Sequence, residues 1–155
     1  MKLIVTGIDG CGKTTIVNKI LRMFPNNDIK LVHCDRRTPN DYKFFKSLLE
    51  NEHDIIFDRF CYEQFVYQDE EERKRLGGLN QKELIQLEEY MREHGVIVLY
   101  VKADVNKCLE NCLKDDEDKD YTYEYLSLLQ KTYDELMFSP DRRCTIFSYI
   151  NVYPY

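Results

Sequence analysis

The chain has 155 residues, 22 Lys+Arg against 28 Asp+Glu, and a formal net charge of −6. That length suits one domain, and 43% apolar with 32% charged residues excludes general disorder. The acidic balance argues against nucleic acid as a partner, and the longest apolar run, Val96–Val101, is far below the ~20 residues that span a bilayer.

Taken in chain order, Met1–Gly7 has no charged stretch leading into an apolar one, so no secretory signal is read and a cytoplasmic protein is expected. The six cysteines, Cys11, Cys34, Cys61, Cys108, Cys112 and Cys144, are then expected as reduced thiols. Lys2–Thr6 is an apolar strand, and Ile16, Ile20, Leu21 and Phe24 repeat at helical spacing until Pro25. Ile29–Cys34 is a second strand, Tyr42–Asn51 a short helix, and Asp54–Phe57 a third strand. Asn80 with Glu83 forms a capping box, opening a helix that closes near Gly95. Val96–Lys102 is the fourth strand, and Asp104 caps a helix over Val105–Leu113. On that helix Val105, Cys108, Leu109, Cys112 and Leu113 form one apolar stripe, so the two cysteines are read as core and not as metal ligands. Leu126, Leu129, Tyr133, Leu136 and Met137 mark one face of a last helix before Pro140. Its tyrosines and their neighbours Tyr121, Tyr123 and Tyr125 are expected in core or half-buried positions. Thr145–Val152 is a fifth strand whose tyrosines suggest a sheet edge and a possible homodimer contact.

Strands alternating with helices predict an α/β three-layer sandwich with a five-stranded parallel sheet, a single domain over 1–155. Ligands in such sheets sit beyond the carboxyl ends of the strands. There, Gly7-Ile8-Asp9-Gly10-Cys11-Gly12-Lys13-Thr14-Thr15 fits G-x-x-x-x-G-K-[ST] at every fixed position. The strand before it and the helix after it are the context such a phosphate loop (P-loop) needs. Backbone N–H groups around Gly10, Cys11, Gly12 and Thr15 would cradle an anion at a helix N-terminus. Lys13 would reach the β- and γ-phosphates of a nucleotide, and the Thr14 hydroxyl would ligate Mg²⁺. No Asn-Lys-x-Asp base-reading motif of a GTPase is present, so the transferred phosphoryl needs another acceptor. Asp58-Arg59, at the end of the third strand, supplies a carboxylate for a metal-bound water or a proton and a guanidinium for a phosphate.

Asp58-Arg59-Phe60 followed by Tyr67-Gln68, together with Asp9 inside the loop, resembles thymidylate kinase. Tyr125-Leu126, Leu129-Gln130, Tyr133 and Leu136 match that family's spacing in the last helix. The resemblance covers most of Met1–Met137. It implies ATP as donor with Mg²⁺ on Thr14 and Asp58, and Arg59 on the acceptor phosphate. It also implies Asp9 near the sugar 3′-hydroxyl, Tyr67 against the 2′ position to favour deoxyribose, and Gln68 beside it. The chain departs from the family in three places. Asp35-Arg36-Arg37-Thr38-Pro39 stands for Arg-Glu-Pro-Gly, leaving Asp35 and Arg36 as substrate-binding candidates. The stretch from Pro39 to Asp54 is short, with Phe44, Phe45 and Lys46 as its candidates for the base. The lid near 114–121 carries two Lys and five acids in Lys114–Asp120 where arginines are usual, so Arg36, Arg37, Arg73 or Arg75 would have to replace them.

The expected activity is ATP-dependent phosphoryl transfer to a deoxynucleoside monophosphate, dTMP or a related pyrimidine nucleotide. One alternative is a deoxynucleoside kinase acting on a 5′-hydroxyl with Asp35 as base. Another is a nucleotide-binding protein without transfer. The expected partner is a small-molecule nucleotide or nucleoside, with no membrane. His33, His53 and His94 receive no role.

Overall fold

Five strands, β1 (Lys2–Thr6), β2 (Ile29–His33), β3 (Asp54–Asp58), β4 (Ile97–Lys102) and β5 (Thr145–Ile150), form one parallel sheet in the order β2-β3-β1-β4-β5. The computed structural model describes residues 1–35, 40–114 and 120–154. Seven helices are described: α1 (Lys13–Met23), α2 (Tyr42–Glu50), α3 (Glu63–Tyr67), α4 (Glu70–Arg75), α5 (Gln81–Glu93), α6 (Val105–Leu113) and α7 (Tyr123–Met137). The central strands are apolar in their middles because helices cover both faces, as parallel sheets require. Ile4, Val5, Ile56, Phe57, Val98 and Val101 are fully enclosed. The expected α/β three-layer architecture is the observed one.

Strand ends differ from the sequence reading by one or two residues: Cys34 lies outside β2, Val96 precedes β4, and β3 extends to Asp58. α1 ends at Met23, with Phe24 as its exposed cap. The capping box forms as expected: the Asn80 side chain accepts from Glu83 N and the Glu83 side chain accepts from Asn80 N. α3 and α4 have no counterpart in the sequence reading, because five and six residues are too few to display a helical period. Cys108 and Cys112 are core, and all six cysteines are free thiols. Leu113, expected on the same stripe, is half exposed at the helix end. Tyr133 is fully buried, while Tyr123 and Tyr125 are exposed because they sit on the first turn of α7. β5 is an edge strand, with Phe147, Tyr149 and Ile150 open to solvent. Among the described residues, no helix is long and apolar enough to cross a membrane.

The order places β1 between β3 and β4, with Val5 opposite Asp58. The loop leaving β1 and the Asp58-Arg59 turn leaving β3 therefore share the carboxyl edge.

Candidate active site

The loop at Gly7–Thr15 joins β1 to α1. α2, α4, α5, α6 and α7 each begin with a side chain capping a backbone N–H. α1 begins at Gly12 with no side-chain cap, so its first N–H groups are suited to an anion. Gly12 and Gly10 have φ of 92° and 77°, the left-handed region where glycine is favoured. A Cβ on Gly10 would overlap the Cys108 carbonyl oxygen. Lys13 is buried, and its Nζ donates to the carbonyls of Gly7 and Ile8 at 2.7 Å each. Cys11 is fully buried beneath the loop, where burial pushes its thiol up despite the nearby Lys13 charge.

At the other side of the cleft, Arg59 has φ 69°. It is a left-handed residue other than glycine, and such strain clusters at functional sites. Its N–H still donates to Val5 O at 2.9 Å, so the ladder holds while the chain turns. The guanidinium pairs with Asp9 of the loop. Tyr67 donates to the same carboxylate at 3.4 Å, and Tyr121 also donates to it. Burial disfavours the Arg59 charge, but Glu63 and the surrounding tyrosines outweigh it and hold the guanidinium above its ordinary range. Asp58 Oδ2 accepts from Thr14 Oγ1 at 3.3 Å. Two hard oxygens side by side suit Mg²⁺, which takes one or two protein ligands and completes its shell with phosphate and water. No group of three or more His, Cys, Asp or Glu side chains among the described residues offers a dedicated metal cage.

Two cavities meet here. One of about 350 Å³ is lined by Asp9, Gly10, Gly12, Lys13, Thr14, Thr15, Asp58 and Arg59. The other, about 630 Å³, is lined by Asp35, Arg59, Tyr67, Gln68 and residues of α2, α3, α4 and α7. Arg59 lines both. The structure thus gathers Asp9, Gly10, Gly12, Lys13, Thr14, Thr15, Asp58 and Arg59 around one cavity and Asp35, Arg59, Tyr67 and Gln68 around the next. Phe45 lines the second cavity and also packs edge-to-face on Phe60. Lys46 points elsewhere: it pairs with Glu50 at 3.3 Å and lies over the Tyr90 ring. Arg73 is buried against Phe65, with Nη1 on Gln68 O at 2.9 Å, so it is not a cation for the phosphate loop. Arg36, Arg37 and the acidic core of the lid, 115–119, lie outside the described residues.

Several site residues escaped the sequence reading. His33 stands opposite Asp58 in the β2–β3 register and reaches its carboxylate at 3.7 Å. Only its place at a strand end marked it. Glu63 ties three elements together, accepting from Thr6 Oγ1 at 2.8 Å, Tyr133 OH at 3.1 Å and Phe60 N at 3.1 Å. Asn111 and Pro154 line the loop cavity; Asn111 lies 101 residues from Gly10 in sequence, and no local motif announces either.

No family model matches the chain, and no curated protein matches it. Solved structures do. YorR from Bacillus subtilis, solved in complex with phosphorylated GDP, superposes with TM-score 0.76 at 20% identity, over 97% of this chain and 85% of that one. Deoxyadenosine kinase from M. mycoides with the products dCMP and dCDP superposes at 0.60 and 20% identity, over 96% and 90% of the two chains. The same kinase with bound dCTP gives 0.60 at 18% identity, over 97% and 90%. The chain has the fold of the P-loop nucleotide kinases. At these identities the likeness is one of fold alone.

Proposed function

We propose that this protein is a phosphotransferase of the thymidylate kinase type, moving the γ-phosphoryl of ATP onto the phosphate of a deoxynucleoside monophosphate, dTMP or a related pyrimidine nucleotide. The observation that carries the reading is Arg59, which borders both the phosphate-loop cavity and the larger neighbouring one. A guanidinium there can hold an acceptor phosphate facing a donor phosphate. Lys13 and the uncapped start of α1 bind and orient the donor phosphates. Thr14 and Asp58 would hold Mg²⁺, which when bound neutralises charge on the phosphate oxygens. An oxygen of the acceptor phosphate forms the new bond to the γ-phosphorus, and the bond to the bridging oxygen of ADP breaks. That nucleophile is already anionic near neutral pH, since the second phosphate pKa is about 6, so the step needs no general base. Tyr67, beside Asp9, would press on the acceptor sugar.

A coupled assay with ATP, Mg²⁺ and a panel of nucleosides and monophosphates tests this. Turnover with a deoxynucleoside monophosphate is expected. Turnover with nucleosides alone would favour the second reading, a deoxynucleoside kinase, for which Asp35 in the larger cavity is a candidate base. Asp35→Asn separates the two, abolishing nucleoside phosphorylation while affecting a monophosphate kinase less. ATP binding without any acceptor-dependent ADP release would leave a nucleotide-binding protein.

A further inference from the structure

The segment that follows β5 runs alongside the phosphate loop, with Pro154 on the rim of the loop cavity. Its root is fixed by Asn151 N–H on the Lys102 carbonyl at 2.7 Å. Asn151, a buried polar residue, donates from Nδ2 to the Cys11 carbonyl at 3.0 Å. Asn111 of α6 donates from Nδ2 to the Gly10 carbonyl at 3.0 Å and also to the Pro154 carbonyl. Lys107 Nζ holds the Val152 carbonyl at 3.0 Å. Pro154 lies so near Gly12 that a Cβ there would sit 3.1 Å from its Cα.

Two consecutive loop carbonyls are therefore gripped by side-chain amides from other elements. A peptide unit is planar and trans, so fixing a carbonyl fixes the N–H on the other side of the same plane. The grip on Gly10 O sets the N–H of Cys11, which closes the loop on Ile8 O at 3.4 Å, and the grip on Cys11 O sets the N–H of Gly12 on the opposite side of its peptide plane. Gly12 lines the phosphate-loop cavity. A donor site whose dipoles are oriented before the ligand arrives binds without reorganising them.

We propose that Asn111 and Asn151 are positioning residues for the donor nucleotide: acting through the strap at 151–154, they preset the Gly10–Cys11 and Cys11–Gly12 peptide planes for a polyphosphate. The inference rests on the loop being a donor site, as in the proposed function.

Asn111→Ala and Asn151→Ala test it. The first lies on a helix, where Ala is the favoured residue, so it keeps a folded variant in hand if Asn151→Ala fails to fold. Affinity for a fluorescent ATP analogue with Mg²⁺ is measured by titration, KM is measured separately for ATP and acceptor, and hydrogen exchange is followed across the ligand-free loop. Loss of the one hydrogen bond that each asparagine gives the loop predicts about 5- to 10-fold weaker analogue binding and a similar rise in the KM for ATP. The acceptor KM should stay within about twofold, and loop amides should exchange faster. Unchanged analogue affinity in the folded variants would overturn the proposal. Equal rises in both KM values would also overturn it, since they mean general loosening. So would tighter binding, which would show the strap competing with the donor. A wild-type chain that binds the analogue but transfers to no acceptor defeats the proposed activity only, because binding and exchange still report on the two asparagines. A wild-type chain that does not bind the analogue defeats both.

Discussion

Asp9 and Arg59 form an ion pair that closes the boundary between the two cavities. One residue comes from the loop after β1 and the other from the turn after β3, so the pair stands where the two cavities meet. An incoming acceptor phosphate would exchange with the Asp9 carboxylate for the same guanidinium.

Arg59→Ala is therefore expected to lower kcat/KM for the acceptor by about 30- to 3,000-fold, the range for removing one partner of a close charge pair. Affinity for the ATP analogue should change little. Arg59→Lys should recover only part, since an ammonium cannot make the bidentate contact and is strained no less at φ 69°. Steady-state kinetics with each substrate varied in turn check this. An equal loss on the donor side would remove Arg59 from the acceptor role.

Lys13→Met should cost about 10²–10³ in kcat, comparable to removing one preorganised electrostatic contact. It should also lower thermal stability, because the ammonium satisfies the Gly7 and Ile8 carbonyls. Turnover and the melting temperature give the two readouts. Retention of near wild-type kcat would place phosphate binding away from this loop.

The sheet, the loop and Asp58-Arg59 were legible because each is a local signal: apolar runs of strand length, glycines at fixed offsets, charges closing a strand. Lys13 and Thr14 follow from one nine-residue motif. Asn151, Asn111 and Glu63 were not legible, because their partners lie far off in sequence and a lone Asn or Glu reads as solvated surface. Glu63 reaches Thr6 and Tyr133 only once α3 and α7 pack together. His33 was passed over for the opposite reason: its position was clear, but its neighbour across the sheet depends on the β2–β3 register.

Stability should fall at alkaline pH. Burial first, then neighbouring charge, pushes the Cys34, Cys108 and Cys144 thiols from 9.0 up to about 12. Burial raises the Tyr62 and Tyr133 phenols well above 10.0. Above about pH 9 the unfolded chain loses these protons while the folded chain keeps them. The unfolded state then binds fewer protons, so the unfolding free energy declines as pH rises. Urea midpoints measured from pH 7 to 11 should be flat to about pH 9 and drop beyond it, more steeply above pH 10. A flat profile to pH 11 would contradict the burial of these groups.

Glu88 is fully buried, and its carboxylate accepts from Tyr62 OH at 2.8 Å, Cys144 Sγ at 3.1 Å and Arg143 N at 3.3 Å. Arg142 Nε stands 3.3 Å from it, yet Nε and Nη1 have no aligned hydrogen bond. The contact with Arg142 is therefore mainly charge on charge. Breaking a buried pair by removing one partner leaves the other uncompensated, so Glu88→Ala should cost about 3–5 kcal/mol. Glu88→Gln leaves Arg142 equally uncompensated but keeps the size and a carbonyl acceptor, so it should cost less than Ala by about 1–3 kcal/mol, the penalty for buried donors left unpaired. None of these partners lines either cavity, so the folded fraction of both variants should retain the wild-type KM for ATP. Denaturant unfolding and kinetics below the transition check the pair of outcomes. Equal costs for Ala and Gln would show that loss of the Glu88 charge beside Arg142, not the hydrogen bonds, sets the penalty.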